Sequence, residues 1–340
     1  MPIRDHIIHV TRGNDLSQEQ AAEAMEEIMT GVASPAQIAA FLTALHLKGE
    51  TEAEIAGMAQ VMSEKATHVF HDGPVLDTCG TGGDASGTFN ISTTTAFVAA
   101  GAGATVAKHG NRAASSACGS ADVLEALGVN IELDAEGVAR CLEQVGIGFM
   151  FAQKFHPAMR YVGPVRGEIG IRTAFNILGP LTNPARARYQ MLGVADVNLA
   201  EKMARALARL DTVHALVVHG DGGLDELALS GANVVFEVRA GTVRQLPDIS
   251  AVALGLEPAP RAALGGGTAA ENATLLRAIL DGQEHGPKRD VVLLNSAAAL
   301  VAADKAGDMR EGLELARKSI DSGAAGMRLE RMVQVSQKGA

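Results

Sequence analysis

The densest chemical signal in the sequence is the run Asp77-Thr78-Cys79-Gly80-Thr81-Gly82-Gly83-Asp84. Glycine tolerates positive φ and lets successive backbone N–H groups converge on an anion. A helix beginning near Asn90-Ile91-Ser92-Thr93 adds the positive end of its dipole to the same place. The run is neither the Gly-x-Gly-x-x-Gly of dinucleotide folds nor a Walker A loop, because no Lys-Ser or Lys-Thr follows. Taken alone, it suits a structural turn as well as a phosphate cradle.

Lys108-His109-Gly110-Asn111-Arg112-Ala113-Ala114-Ser115-Ser116, followed by Gly119-Ser120-Ala121-Asp122, is the second signal. It comes directly after a predicted strand, at the edge where α/β proteins bind ligands. Lys108 and Arg112 suit phosphate oxygens through charge-assisted bonds, with Ser115, Ser116 and Ser120 completing a cradle. The alternative is a solvated charged loop; two anion-suited loops flanking one helix weigh against it. Asp221-Gly222-Gly223-Leu224-Asp225-Glu226 places adjacent carboxylates on a strand-end loop, a pattern suited to a hard divalent cation and equally to an acidic turn. Arg166 and Arg172 lie near the breaks Gly179-Pro180 and Asn183-Pro184. A bidentate fork to a ligand carboxylate and a structural ion pair are both open to them, and spacing alone favours the ion pair.

The elements that must position these loops are legible in outline. The first 70 or so residues read as helices, with capping boxes at Ser17/Gln20, Ser34/Gln37 and Thr51/Glu54 and Pro35 in a first turn. Apolar residues then recur at helical spacing: Ile38, Phe41, Leu42 and Leu45, and later Ile55, Met58 and Met62. Character changes near Gly73-Pro74. A strand begins at Val75-Leu76, a helix near Asn90, and a further strand covers Ala104–Ala107. Strands at Arg188–Val194, Thr212–His219 and Val234–Arg239 follow, with a helix at 198–210 between the first two. Helices return from about 270, including 293–305 and 309–320.

The bulk properties narrow the class. A chain of 340 residues, 47% hydrophobic and 20% charged, has material for two folded domains. Net charge is −10, the wrong sign for a general nucleic-acid binder, so a phosphate ligand requires a local positive field. Three scattered cysteines, Cys79, Cys118 and Cys141, without zinc spacing fit a reduced cytoplasmic protein. Neither a signal-peptide pattern at MPIRDHIIHV nor an apolar run of spanning length is present.

Taken in register, GTGGD at 80–84, NIST at 90–93, KHGNRAASS at 108–116, GSADVLEALG at 119–128, HPAMRYVGPVRGEIGIRTAFNILGPLTNP at 156–184 and GLDE at 223–226 closely resemble the anthranilate phosphoribosyltransferases. The order and separation of these motifs match across nearly the whole chain. The resemblance implies an α/β protein with a small N-terminal helical domain and a larger α/β domain. The latter has a central, mostly parallel sheet of the nucleoside phosphorylase/phosphoribosyltransferase type. Residues 1–72 would be the helical unit, completed by a segment near 166–185, and 73–340 the phosphoribosyl-diphosphate-binding unit, with the active site between them and homodimers paired through the helices.

The resemblance also implies roles. Gly80, Gly83, Asp84, Thr88, Asn90, Ile91, Ser92 and Thr93 would hold phosphoribosyl diphosphate, as would Lys108, His109, Gly110, Asn111, Arg112, Ala113, Ala114, Ser115, Ser116 and Ser120. Gly80, Asn111 and Arg166 would contact anthranilate, and Ser92, Asp225 and Glu226 would bind Mg²⁺ directly or through water. Ser116-Ala117-Cys118-Gly119, Gln153 and Gly222 depart from common family choices without removing any of these residues.

The implied chemistry is attack of the anthranilate amine on C1 of the ribose with departure of diphosphate, driven by positioning and charge stabilisation. An aromatic amine is neutral at pH 7 and needs no strong base before attack. Lys108 and His109 are the side chains closest to a catalytic part, with a structural role for His109 equally open. A pyrimidine nucleoside phosphorylase is the nearest rival; Asn111-Arg112 after Lys-His-Gly and the GLDE segment favour the transferase. A non-catalytic nucleic-acid-binding relative would need a basic face and lost motifs, and the chain has neither.

Overall fold

The computed structural model describes residues 1–84, 86–113 and 117–338. Four helices open the chain: α1 (Ile3–Val10), α2 (Gln18–Met29), α3 (Pro35–Lys48) and α4 (Glu52–Glu64). All three expected capping boxes form at the starts of α2, α3 and α4. Glu54, in the third box, is fully buried and also accepts from the Leu16 N–H at 2.9 Å and from Lys48 Nζ at 2.9 Å. One cap thereby ties three helix ends together.

Seven strands form one sheet: β1 (Leu76–Gly80), β2 (Val106–Gly110), β3 (Ile147–Phe151), β4 (Tyr189–Gly193), β5 (His214–His219), β6 (Val234–Arg239) and β7 (Thr242–Gln245). Their order is β3-β2-β1-β4-β5-β6-β7. The ladder from β3 to β5 is parallel, and β6 and β7 add antiparallel strands at one edge. The chain leaves β1 through helix α5 (Ile91–Gly101) to β2 on one side and later pairs β4 on the other. The strand order therefore reverses at β1, and such a switch point leaves a crevice beyond the strand ends.

Two apolar cores lie on opposite faces of the sheet. One gathers α5 and the C-terminal helices, including Ala269–Leu280 and Pro287–Ala302. The other joins α1–α4 to Val162, Val165, Phe175 and Leu178 of the 158–181 segment, then continues onto Leu192, Val217 and the helix Val197–Ala208. The segment after the middle of the chain thus packs with the helices at its start. No helix is long and apolar enough to cross a membrane among the described residues.

Three elements differ from expectation. β2 runs on to Gly110, so Lys108 and His109 are strand residues and not loop residues; a parallel strand is covered on both faces, and both side chains are buried. β3 was not anticipated because five apolar residues after a helix carry no period that marks a strand. β7 is a short, exposed, polar edge strand joined to β6 by a turn with positive φ at Ala240 and Gly241.

Candidate active site

Gly80, the last residue of β1, pairs in register with Gly193, the last of β4. The acidic loop lies across both. A Cβ on Gly80 would overlap the Asp225 carboxylate, and one on Gly193 would overlap the Asp225 backbone carbonyl. Gly82 (φ +66°) and Gly83 (φ +77°) then turn the chain so that the Gly82 N–H donates to Asp225 Oδ2 at 2.7 Å. The first and third motifs, far apart in sequence, are one structure here.

Asp84, Asp225 and Glu226 offer ligand oxygens that all lie within 4.8 Å of one another. Burial, then the Asp84 charge, pushes Asp225 up to about 7. Burial, then Asp225 and Asp84, pushes Glu226 well above the usual carboxylate range. Asp84 Oδ2 is enclosed with no hydrogen-bond partner among the described residues. Three crowded oxygens with no side-chain cation at ion-pair distance among the described residues fit a hard divalent ion such as Mg²⁺. Asp84, expected among the diphosphate contacts, joins the acidic pair. Ser92, expected with that pair, lines one small cavity with Asp225 and Glu226 and accepts from Lys108 Nζ at 3.3 Å.

Lys108 is buried at the end of β2, and its ammonium also donates to the Thr78 carbonyl. Burial lowers its pKa, against the opposing pull of Asp77. Asp77 is itself fully buried, accepting from the His109 N–H at 3.2 Å and from Asn183 Nδ2 at 2.7 Å. Burial raises its carboxyl to about 6 in spite of these bonds. The His109 ring lies 5.0 Å from that of His156, and burial, then His156, takes its pKa down to about 3. The ring is neutral at pH 7. Its Nδ1 is 3.2 Å from the Gly179 carbonyl, which can only accept, so we assign the proton to Nδ1. Nε2 is then a lone pair, enclosed and without a partner among the described residues.

Gly110 is hemmed in by Ser120 Oγ and the Phe149 ring. Asn111 accepts through its carbonyl from Ser120 Oγ at 3.3 Å and through Oδ1 from the Arg112 N–H at 2.8 Å. Arg112 donates to Glu125 at 2.8 and 3.1 Å and to Asp122 at 3.1 Å, so its guanidinium is held by carboxylates. Asp122 Oδ2 accepts from the N–H groups of Ala113 (2.9 Å) and Gly119 (2.8 Å), on either side of the intervening loop. Ala114, Ser115 and Ser116, expected in that loop, lie outside the described residues.

Asn90 is the N-cap residue of α5; its carbonyl accepts from the Thr94 N–H at 3.0 Å, and its side chain bonds elsewhere. Its Nδ2 donates to the Cys118 carbonyl at 3.1 Å, and its Oδ1 accepts from Asn272 Nδ2 at 3.0 Å. Ile91 and Thr93 are buried, and Thr88 forms an isolated bridge with Gly265. Arg166 sits half-buried on the helix Gly163–Ile169, its guanidinium 5.6 Å from the centre of the Phe175 ring. Among the described residues no carboxylate lies within ion-pair distance of it. The segment it belongs to borders the loops at two points: Arg172 packs on Gly83, and the Gly179 carbonyl meets His109.

The structure therefore brings 80–84, 90–93, 108–112 and 225–226 to one set of strand ends. Sequence reasoning missed Asp77, Gly193, Asn183 and Asn272 as supports. Asp77 and Asn183 stood inside noted motifs; Gly193 and Asn272 carry no local signal.

A helical bundle beside a switch-point sheet with an acidic, glycine-floored cleft defines a two-domain glycosyl transferase. The glycosyl transferase family helical bundle domain matches residues 4–66, and the glycosyl transferase family a/b domain matches residues 72–326. Anthranilate phosphoribosyltransferase of Roseiflexus castenholzii is 73% identical over 336 residues, covering 99% of both chains. That of Chloroflexus aggregans is 71% identical, again covering 99% of both. The chain belongs to the anthranilate phosphoribosyltransferase family. The crystal structure of the Thermus thermophilus enzyme superposes with a TM-score of 0.92 at 48% identity, over 98% of this chain and 99% of that one. The Saccharomyces cerevisiae enzyme in complex with phosphoribosyl diphosphate and Mg superposes with a TM-score of 0.89 at 28% identity, over 98% of each chain.

Proposed function

We propose that loops 80–84, 108–120 and 221–226 hold phosphoribosyl diphosphate against the carboxylate cluster while anthranilate enters from the Arg166 side. The reaction forms a bond from the anthranilate amine to C1 of the ribose and breaks the C1–O bond to diphosphate, a step of tryptophan biosynthesis. Gly80, Gly83, Thr88, Asn90, Ile91, Ser92 and Thr93, with residues 108–116 and Ser120, are assigned to phosphoribosyl diphosphate. Arg166, Asn111 and Gly80 are assigned to anthranilate. Residues 1–72 with the segment near 166–185 form one wall and the remainder the other.

The crowding of Asp84, Asp225 and Glu226 beside the anchored ammonium of Lys108 carries this reading. Asp225 and Glu226, with Ser92 and Asp84, would hold Mg²⁺, whose charge offsets that gathering on the departing diphosphate. Lys108 supplies a fixed positive charge in a chain whose overall charge is −10. The two carbonyl and hydroxyl contacts of its ammonium keep that charge in place and spare reorganisation during reaction. His109 is enclosed and a weak base, so the proton of the attacking amine passes to water after the C1–N bond has formed. A cytoplasmic homodimer paired through the helical unit is the form we propose, supported by the exposed Val32 and Leu47 on that unit.

The test is direct. Purified protein mixed with anthranilate, phosphoribosyl diphosphate and Mg²⁺ should quench anthranilate fluorescence, and a chelator should stop the decay. Unchanged fluorescence under those conditions would reject the assignment.

A further inference from the structure

Behind the carboxylate cluster lies a small internal cavity between α5, β1, β4 and the helix Pro287–Ala302. Its polar lining is almost wholly committed. Thr78 Oγ1 donates to the Ser92 carbonyl at 3.1 Å. Asn295 is spent on Leu227 and Val291. Cys79 Sγ accepts from Gln190 Nε2 at 3.2 Å. Two enclosed lining atoms have no partner among the described residues: Thr95 Oγ1 and Glu226 Oε2. Thr95 is 1% exposed, and its hydroxyl does not fold back onto its own helix as that of Thr94 does onto the Asn90 carbonyl. It stands one turn after Ser92, so α5 presents both hydroxyls on the same face. The cavity has room for about one water, and a water so enclosed needs polar partners of this kind.

We propose that Thr95 is a positioning residue for the cation site: its hydroxyl, through a water held in this cavity, fixes the orientation of the Glu226 carboxylate. A buried carboxylate oxygen with no donor carries its full desolvation cost; a bridging water supplies the donor and favours the one orientation that accepts it. Groups behind metal ligands act in this way without touching the metal. The proposal rests on Glu226 helping to hold the cation.

Thr95→Val keeps the side-chain shape and removes the hydroxyl, whereas Thr95→Ser keeps the hydroxyl. Mn²⁺ affinity measured by electron paramagnetic resonance titration, alongside the Mg²⁺ concentration for half-maximal turnover, reads the effect. Thr95→Val should weaken Mn²⁺ binding about tenfold, Thr95→Ser by less than about twofold, with KM for anthranilate unmoved in both. Wild-type Mn²⁺ affinity in Thr95→Val overturns the proposal. Equal weakening in the two variants also overturns it, since that marks packing and not the hydroxyl. Thr95→Ala compared with Thr95→Ser asks the same question should the valine variant fail to fold. Glu226→Gln run beside them separates the two claims: weakened binding there with Thr95→Val unaffected removes Thr95 alone, and unaffected binding there removes the cation assignment together with the proposal.

Discussion

Gly193 lies beneath Asp225 so closely that a Cβ on the glycine would overlap the Asp225 carbonyl. The smallest residue thus sets the height of the acidic loop above the sheet. Gly193→Ala must push Asp225 and Glu226 away from Asp84. We expect a stability loss of about 1–3 kcal/mol from overpacking, and a higher Mg²⁺ requirement for turnover. Thermal denaturation and a Mg²⁺ titration check the two effects separately. A wild-type metal response would show that some other contact sets the loop.

The carboxylate cluster also makes stability depend on pH, with a sign that can be worked out. At pH 6.5 about half of each histidine in the unfolded chain still carries a proton, and by pH 8 almost none does. His109 and His156, drawn down to about 3 and about 4 on folding, are neutral in the folded chain, so across that window they contribute stability that rises with pH and offsets the cluster's loss. Asp225, raised to about 7, and Glu226, raised well above the usual carboxylate range by burial and by Asp225, bind protons more tightly in the folded chain than in the unfolded one. Their contribution to stability therefore falls as pH rises through those folded values. The metal-free melting temperature sums both signs, so the readout is the Mg²⁺ increment: Mg²⁺ should raise the melting temperature more at about pH 8 than at about pH 6.5, because it binds the deprotonated carboxylates. Melting curves with chelator and with Mg²⁺ measure this; a Mg²⁺ gain independent of pH would count against the cluster as the binding site.

Arg166 offers a test of substrate assignment. Its guanidinium is partly buried, burial lowers its pKa, and no protein carboxylate compensates it among the described residues. A charge-assisted pair with a ligand carboxylate is worth about 1.5–3 kcal/mol. Arg166→Ala should accordingly raise KM for anthranilate about 10- to 100-fold and leave KM for phosphoribosyl diphosphate nearly unchanged. Steady-state kinetics with each substrate varied in turn decides it, and equal effects on both would remove the role.

What the sequence disclosed followed a physical divide. Capping boxes and strand-end glycines are local patterns, and each falls where local physics puts it. Contacts that depend on residues brought together by folding were illegible. Asn183 reaches Asp77 across 106 residues, and Asn272 reaches Asn90 across 182. Gly193 looks like an ordinary strand end until the Asp225 loop is laid on it. The continuation of β2 through Lys108 and His109 was hidden because polar residues suggest a loop, yet here the Lys108 ammonium is met by Thr78 and Ser92 and His109 Nδ1 by Gly179 inside the protein.

Asp122 joins a local pattern to a long-range one. One carboxylate oxygen receives N–H groups from Ala113 and Gly119, so a single side chain fixes both sides of the second anion loop, while its other oxygen accepts from Arg112. The Arg112 pairs are substantially exposed, at 39% for the arginine side chain, and exposed ion pairs contribute about 0–1 kcal/mol. The two backbone bonds should dominate. Asp122→Ala leaves both donors without their acceptor, and we expect about 1–3 kcal/mol of lost stability with a KM for phosphoribosyl diphosphate raised about tenfold. Asp122→Asn, which keeps an oxygen for the donors, should fall between this variant and the wild type. Glu125→Gln, which loosens Arg112 but spares the backbone bonds, should leave stability within about 0.5 kcal/mol. Denaturation midpoints and KM values for the three variants give the ordering. If Glu125→Gln proved as damaging as Asp122→Ala, the guanidinium and not the backbone clamp would be what shapes this loop.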